Sequence, residues 1–195
     1  SRLDRNCLMQ NLLSNDSTYQ TISTRADGTA PWFPSLRFYP RFLSVVCQSA
    51  LSAKRDKYTN EVWQEHSIKV LRALERVGVE FEVTGLEYLR AADGPVIFVG
   101  NHLSVMETVV LPSWILSYKP FTYVIKQSLL EVPIFKHVMS SLDPIAVTRT
   151  NPRLDLKIVL DQGVERVGQG LSIMVFPQTT RTPFNPEQFS TIGVK

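Results

Sequence analysis

A histidine at position 102 and a glutamate five residues on, at position 107, form a candidate acid–base pair. A neutral imidazole accepts a proton near neutral pH, and a carboxylate on its other ring nitrogen fixes the tautomer and supports the charged form. Such a pair can take the proton of a hydroxyl as that hydroxyl attacks a carbonyl, a contribution worth about two to four orders of magnitude in rate. On an ideal helix a five-residue offset turns through about 500°, which leaves the side chains roughly 140° apart. The pair meets only if His102 lies in a non-helical lead-in and Glu107 on the helix that follows, with Asn101 or Ser104 supplying the turn or cap. On spacing alone the competing reading is a histidine satisfied by backbone.

Immediately upstream of the pair, the turn Asp93-Gly94-Pro95 leads into Val96-Ile97-Phe98-Val99, a continuous apolar run that suits a buried strand. The loop after a strand's carboxyl end is where open α/β sheets hold ligands. Phe121–Ile125, Pro144–Thr148 and Ser172–Phe176 are further apolar strand candidates, and Val79, Phe81 and Val83 alternate with Glu80, Glu82 and Thr84 as another. Helical spacing covers residues 60–77, with Val62, Trp63, Ile68, Leu71, Leu74 and Val77 inward and Gly78 as the stop. It recurs over residues 153–167, through Leu156, Val159, Leu160, Val164 and Val167. Strands alternating with helices predict an α/β fold, a largely parallel central sheet flanked by helices.

Upstream of these elements, residues 1–30 are rich in Asn, Ser, Thr, Gln and Asp and are expected to form a flexible polar leader. Residues 31–58 open on Pro31-Trp32-Phe33-Pro34, and a helix starting at Pro40 would carry Leu43, Val46, Cys47, Ala50 and Leu51 on one side. This amphipathic N-terminal segment suits a membrane interface, or packs on its own domain. Residues 59–195 then form the domain that holds the chemistry.

Composition excludes several classes. With a net charge of +3 and no basic block, nucleic acid is not an expected partner. Cys7 and Cys47 and three scattered histidines give no metal-ligand spacing and no disulfide framework. No run of about 18 apolar residues is present to span a bilayer. His66, on the boundary side of its helix, and His137 are expected to be structural or solvated, and Glu131, Asp143 and Asp155 to be solvated charges.

The His102 pattern does not stand alone. Val96-Ile97-Phe98-Val99-Gly100-Asn101-His102-Leu103-Ser104-Val105-Met106-Glu107 resembles the first motif, NHxxxxD, of the glycerolipid (lysophospholipid) acyltransferase superfamily. Lys126-Gln127-Ser128-Leu129 with Pro133 resembles its K-x-E-L…P segment, and Pro144-Ile145-Ala146-Val147-Thr148-Arg149 its second motif. Phe176-Pro177-Gln178-Thr179-Thr180-Arg181 resembles the third, FPEGTR, and Gly85-Leu86-Glu87 matches a G-x-E often found before the His strand.

The resemblance implies a glycerol-3-phosphate acyltransferase-like fold and a membrane-associated O-acyltransferase of phospholipid biosynthesis. His102 would be the base and Glu107 its orienting partner. Arg149 and Arg181 would bind the phosphate of the acceptor, Lys126 would assist with that anion, and Asn101, Gln178, Thr179 and Thr180 would shape the site. The implied donor is acyl-CoA or acyl carrier protein, with no tightly bound cofactor and no metal. The acceptor is a lysophospholipid, 1-acylglycerol-3-phosphate being favoured, at the cytoplasmic face of a membrane where the protein is peripheral or monotopic. Three positions depart from the pattern. Glu107 replaces Asp, keeping the charge on a longer arm, while Gln178 and Thr179 replace Glu and Gly and bear on the identity of the acceptor. A fourth, Pro-containing apolar motif would follow a segment like Phe189–Lys195, where the chain stops, so part of the domain's C-terminal region is expected to be missing. The rivals are an acyltransferase for a different lysolipid and a non-catalytic lipid-binding relative.

Overall fold

The computed structural model describes residues 17–21 and 33–177. A short strand, β1 (Thr18–Gln20), precedes two long helices, α1 (Pro34–Lys54) and α2 (Asn60–Glu75). Then come β2 (Glu82–Thr84), α3 (Leu86–Ala91), β3 (Ile97–Val99), α4 (Val105–Val110) and α5 (Pro112–Ile115). β4 (Phe121–Lys126) runs into a 3-10 turn over Gln127–Leu130, followed by α6 (Pro133–Ser141), β5 (Ile145–Val147), α7 (Pro152–Gly168) and β6 (Ser172–Val175). β3, β6, β4 and β5, in that order, form one four-stranded parallel sheet, so the expected α/β architecture is present. Parallel neighbours cannot be joined by tight turns, and the intervening helices supply the crossovers.

β4 is one of the two inner strands, with Phe121, Thr122, Tyr123 and Ile125 all buried. Trp63 of α2 stacks on Phe121 at 4.8 Å between ring centroids, and Tyr123 meets the same two rings edge-on. The opposite end of α2 sends Leu71 and Leu74 into a second cluster with Tyr19, Phe38, Val45 and Trp114. The amide of Val79 donates to Leu74 (3.1 Å) and that of Gly78 to Glu75 (3.0 Å), closing α2 on a glycine at φ 95°. That is the stop expected of Gly78, because a left-handed residue suits glycine best.

Several expectations need correction. Thr18–Gln20 falls inside the stretch expected to be a flexible leader, yet it pairs antiparallel with β2 and buries Tyr19, whose hydroxyl bonds Glu75 of α2. The rest of residues 1–30 lies outside the described residues, apart from Ser17 and Thr21. α1 begins at Pro34, not Pro40, because the first proline occupies a position whose N–H has no helical partner; Pro40 sits inside the helix, where the Arg41 guanidinium reaches back to the Arg37 carbonyl at 2.7 Å. The inward face of α1 is Phe38, Val45, Ser49 and Ala53, so the stripe read from the sequence divides: Val46 and Ala50 are half-buried, with Ala50 against the core, while Leu43, Cys47 and Leu51 are exposed, together with Leu36 and Tyr39. β3 is not buried on both faces. Phe98 points into the core, while Ile97 and Val99 are 63% and 69% exposed on the side they share with Ile173. α7 covers β5 and β6 on that side and stops short of β3. It approaches through Gly163, where an added Cβ would lie 3.4 Å from Ile173, and this turns Leu156, Leu160 and Val164 outward.

His66 is buried, not at the boundary. Its Nδ1 lies 2.7 Å from the Ser49 hydroxyl of α1, and its ring tilts against Tyr58. Burial, helped by the nearby Lys69 charge and opposed by Glu65, lowers its pKa below the ordinary 6.5, and burial pushes Tyr58 up to about 12. The unfolded chain binds the extra proton first as pH falls, so the stability contributed by neutral His66 is complete above the ordinary value of 6.5 and is lost on acidification below it. Urea unfolding at about pH 7.5 and about pH 5.5 checks this, with the native protein losing more of its midpoint than a His66→Gln variant.

Candidate active site

All four strands of the sheet end on one edge, and the register sets how their trailing residues line up. Val99 pairs with Val175, Tyr123 with Met174 and Lys126 with Val147, which puts Asn101, Pro177, Lys126 and Val147 at one level. His102 stands one residue beyond that level and Arg149 two. Neighbouring strands are about 4.8 Å apart, so β3 and β5 are separated by roughly 14 Å, with the backbone of Lys126 one spacing nearer to β3 than that of Arg149. The sheet edge thus gathers residues from four distant parts of the chain.

His102 occupies the non-helical lead-in and Glu107 the first turn of α4, as their spacing required. Nδ1 of His102 lies 2.6 Å from the Glu107 carboxylate. The same carboxylate accepts the backbone N–H groups of Leu103 (2.9 Å) and Ser104 (3.2 Å), while the Ser104 hydroxyl accepts that of Met106 at 2.8 Å. This is a capping box, in which Ser104 and Glu107 satisfy each other's end of the helix start. Of the two candidates for the cap, Ser104 fills the role; Asn101 is an exposed residue of the loop. The side chains of His102 and Glu107 are 21% and 23% exposed, so the pair is not sealed in the core. With Nδ1–H donating to the carboxylate, the lone pair of a neutral imidazole lies on Nε2.

Phe176 fixes the plane of the imidazole from behind. Its ring stacks on His102 at 4.8 Å and 25°, and it in turn stacks on Tyr123. An added Cβ at residue 100 would lie 3.3 Å from Phe176, so glycine at this position lets the loop pass the ring. Tyr123 donates its hydroxyl to the Thr108 carbonyl at 2.9 Å, tying the floor of the site to α4. An unbroken column of rings therefore joins the core residue Trp63, through Phe121, Tyr123 and Phe176, to His102. The sequence set Phe176 at the end of a strand candidate and at the head of the third motif, but nothing in it assigned the ring a role against His102. Lys119 secures the approach to β3, donating from a buried ammonium to the carbonyls of Ala92 (2.6 Å) and Gly94 (2.7 Å).

Lys126 is exposed at the end of β4, and Arg149 is exposed just past β5 with a left-handed backbone, φ 63°. Asp155, expected to be a solvated charge, instead accepts three hydrogen bonds from Thr148 and Arg149. Desolvation acts to raise its pKa, but those bonds and the Arg149 charge outweigh it and hold the carboxyl below the ordinary carboxylate value. Gln178, Thr179, Thr180 and Arg181 lie outside the described residues. Among the described residues no cluster of His, Cys, Asp or Glu could hold a metal ion. His137, on the exposed side of α6, takes no part.

Residues 80–189 match the acyltransferase family. The chain is similar to the 1-acyl-sn-glycerol-3-phosphate acyltransferase of Pseudomonas aeruginosa, 33% identical over 66% of this chain and 48% of that protein. It is also similar to the chloroplastic 1-acyl-sn-glycerol-3-phosphate acyltransferase BAT2 of Brassica napus, 31% identical over 58% of this chain and 33% of that protein. The chain spans less than half the length of the curated relatives it matches. Among solved structures, that of the 1-acyl-sn-glycerophosphate acyltransferase PlsC of Thermotoga maritima aligns with a TM-score of 0.57 at 19% identity, over 77% of this chain and 61% of that one, a likeness of fold.

Proposed function

The chain belongs to the acyltransferase family, and from that premise we propose that it transfers a fatty acyl group from a thioester to the hydroxyl of a lysophospholipid, 1-acylglycerol-3-phosphate being the favoured acceptor. The observation that carries this reading is the His102–Glu107 pair, in contact at 2.6 Å at the carboxyl edge of a parallel sheet. In the proposed step the acceptor oxygen attacks the thioester carbonyl while its proton passes to Nε2 of His102. The tetrahedral intermediate then expels the thiolate as the C–S bond breaks, and the thiolate recovers that proton. Glu107 stabilises the imidazolium between the two transfers. No acyl-enzyme is required, so no Ser or Cys nucleophile is invoked.

Arg149, Lys126 and Arg181 are proposed as the acceptor's anion-binding residues, since guanidinium groups match phosphate oxygens. The names of the relatives, which act on 1-acyl-sn-glycerol-3-phosphate, support this acceptor, with Asn101, Gln178, Thr179 and Thr180 shaping its site. The donor is proposed to be acyl-CoA or acyl carrier protein.

No helix among the described residues is long and apolar enough to cross a membrane. The outward face of α1 supports a peripheral or monotopic seat on the cytoplasmic face of a membrane. Leu36, Tyr39, Leu43 and Leu51 are exposed there, with Arg37, Arg41 and Lys54 on the same helix, and Ile134 and Phe135 are exposed on α6, which packs against α1. The lipid acceptor would be delivered from that surface.

The test is thiol release from a long-chain acyl-CoA, and in parallel from acyl carrier protein, with and without lysophosphatidate. Release that requires the acceptor supports the reading, and a panel of lysolipids ranks the head groups. Silence with every acceptor and both donors would sink it in favour of a lipid-binding role.

A further inference from the structure

We propose that Asp155 is a positioning residue for acceptor recognition, holding the backbone of Arg149 in the one conformation that serves the anion site; this rests on Arg149 being a phosphate-binding residue. Arg149 adopts φ 63°, a left-handed conformation that residues with a side chain seldom take without support. That support comes from Asp155. Its Oδ1 accepts the N–H of Thr148 at 2.9 Å and the Thr148 hydroxyl at 3.0 Å, and its Oδ2 accepts the N–H of Arg149 at 2.7 Å. Both carboxylate oxygens are thus spent on the turn that carries Arg149, in charge-assisted bonds of the stronger kind.

The carboxylate is itself anchored. Asp155 lies in the first turn of α7, where its own N–H donates to Asn151 at 2.9 Å and Asn151 caps the helix through the N–H of Leu154. The turn is cross-braced by the contact between the Thr148 and Thr150 hydroxyls at 2.9 Å. A negative group also suits the start of a helix. α7 packs on β5 and β6, so the position of Arg149 is referred to the same sheet that carries Phe176, and through it His102. Without the carboxylate, residue 149 is expected to relax toward ordinary backbone angles, which redirects the side chain it carries. Misplacing a binding group by about 1 Å can cost up to about a hundredfold in rate or affinity.

The experiment is steady-state kinetics of the protein with lysophosphatidate, comparing Arg149→Ala, Asp155→Ala, Asp155→Asn and the double variant Arg149→Ala with Asp155→Ala. The expected result for Asp155→Ala is a KM for lysophosphatidate raised about tenfold, with kcat and the donor KM within about twofold of the starting protein. Asp155→Asn, which keeps the shape and one acceptor oxygen, should fall between the two and serves if the alanine variant does not fold. In the double variant the loss should equal that of Arg149→Ala alone, because residues acting through one another do not add. An acceptor KM raised by Arg149→Ala but untouched in both Asp155 variants overturns the inference. So do effects that multiply in the double variant, or a fall in kcat with unchanged KM. If Arg149→Ala itself leaves the acceptor KM unchanged, the phosphate-binding reading of Arg149 has failed, and this inference falls with it for that separate reason.

Discussion

Replacing His102 by alanine is expected to lower acceptor-dependent thiol release by about three orders of magnitude, within the range a general base contributes, while the fold survives. The side chain lies at the edge of the site, and its removal takes away the stacking on Phe176 and the contact with Glu107 while leaving Glu107 still bonded to Leu103 and Ser104. The check pairs single-turnover release with a thermal melt of the same sample. A variant within about tenfold of the starting rate and equally folded would mean that the acceptor is deprotonated elsewhere. A collapse of both signals would reveal a structural histidine.

Glu107 yields the second large effect, and here rate and stability should separate by substitution. Glu107→Ala removes the acceptor for His102 Nδ1 and for two backbone N–H groups at the start of α4. Loss of a helix cap costs about 1–2 kcal/mol, which in a domain of this size shifts the melting temperature by roughly 2–8 °C. Activity should fall by about a hundredfold or more, since the imidazole loses both its orientation and the charge that stabilises its protonated form. Glu107→Gln distinguishes the two roles. Its amide oxygen can still accept from Leu103 and Ser104, so the melt should stay near that of the starting protein. Its NH2, however, would face Nδ1 and favour the tautomer with the proton on Nε2, and the rate should fall nearly as far as in the alanine variant. Glu107→Gln with full activity would rule out the carboxylate as the orienting group.

The sequence made the His102 neighbourhood legible because everything there is local. Five residues separate the partners, and the serine and glutamate of the capping box sit three apart. The parallel sheet was legible for a related reason, since its strands are compact apolar runs between helices. What escaped was set by neighbours with no sequence signature. Asp155 looks like a solvated charge because its partners are backbone N–H groups, which every residue has. Helical spacing places Leu156, Leu160 and Val164 on one stripe, but cannot say that the sheet meets α7 at Gly163 instead. The three residues of β1 are too few to declare a strand, and their partner in β2 lies more than sixty residues away. His66 was misplaced because its burial depends on Ser49 and Tyr58, contributed from outside its own helix.

The position of β6 has a consequence for how the protein is made. β6 is the latest strand in the chain among the described residues, yet it lies between β3 and β4, which do not touch each other in the sheet. As the polypeptide emerges during synthesis, β4 and β5 can pair as soon as both are out. The strand leading to His102 has no partner until Ser172–Val175 arrives, about seventy residues later. Such long-range parallel pairing is slow because chain closure must precede its reward. The sheet is completed by the same strand that delivers Phe176 to the imidazole. A nascent chain stalled before β6 would be an inert half-sheet with Phe98 uncovered, a species prone to aggregate. Assembly of the fold and of the histidine's seat is therefore one late event.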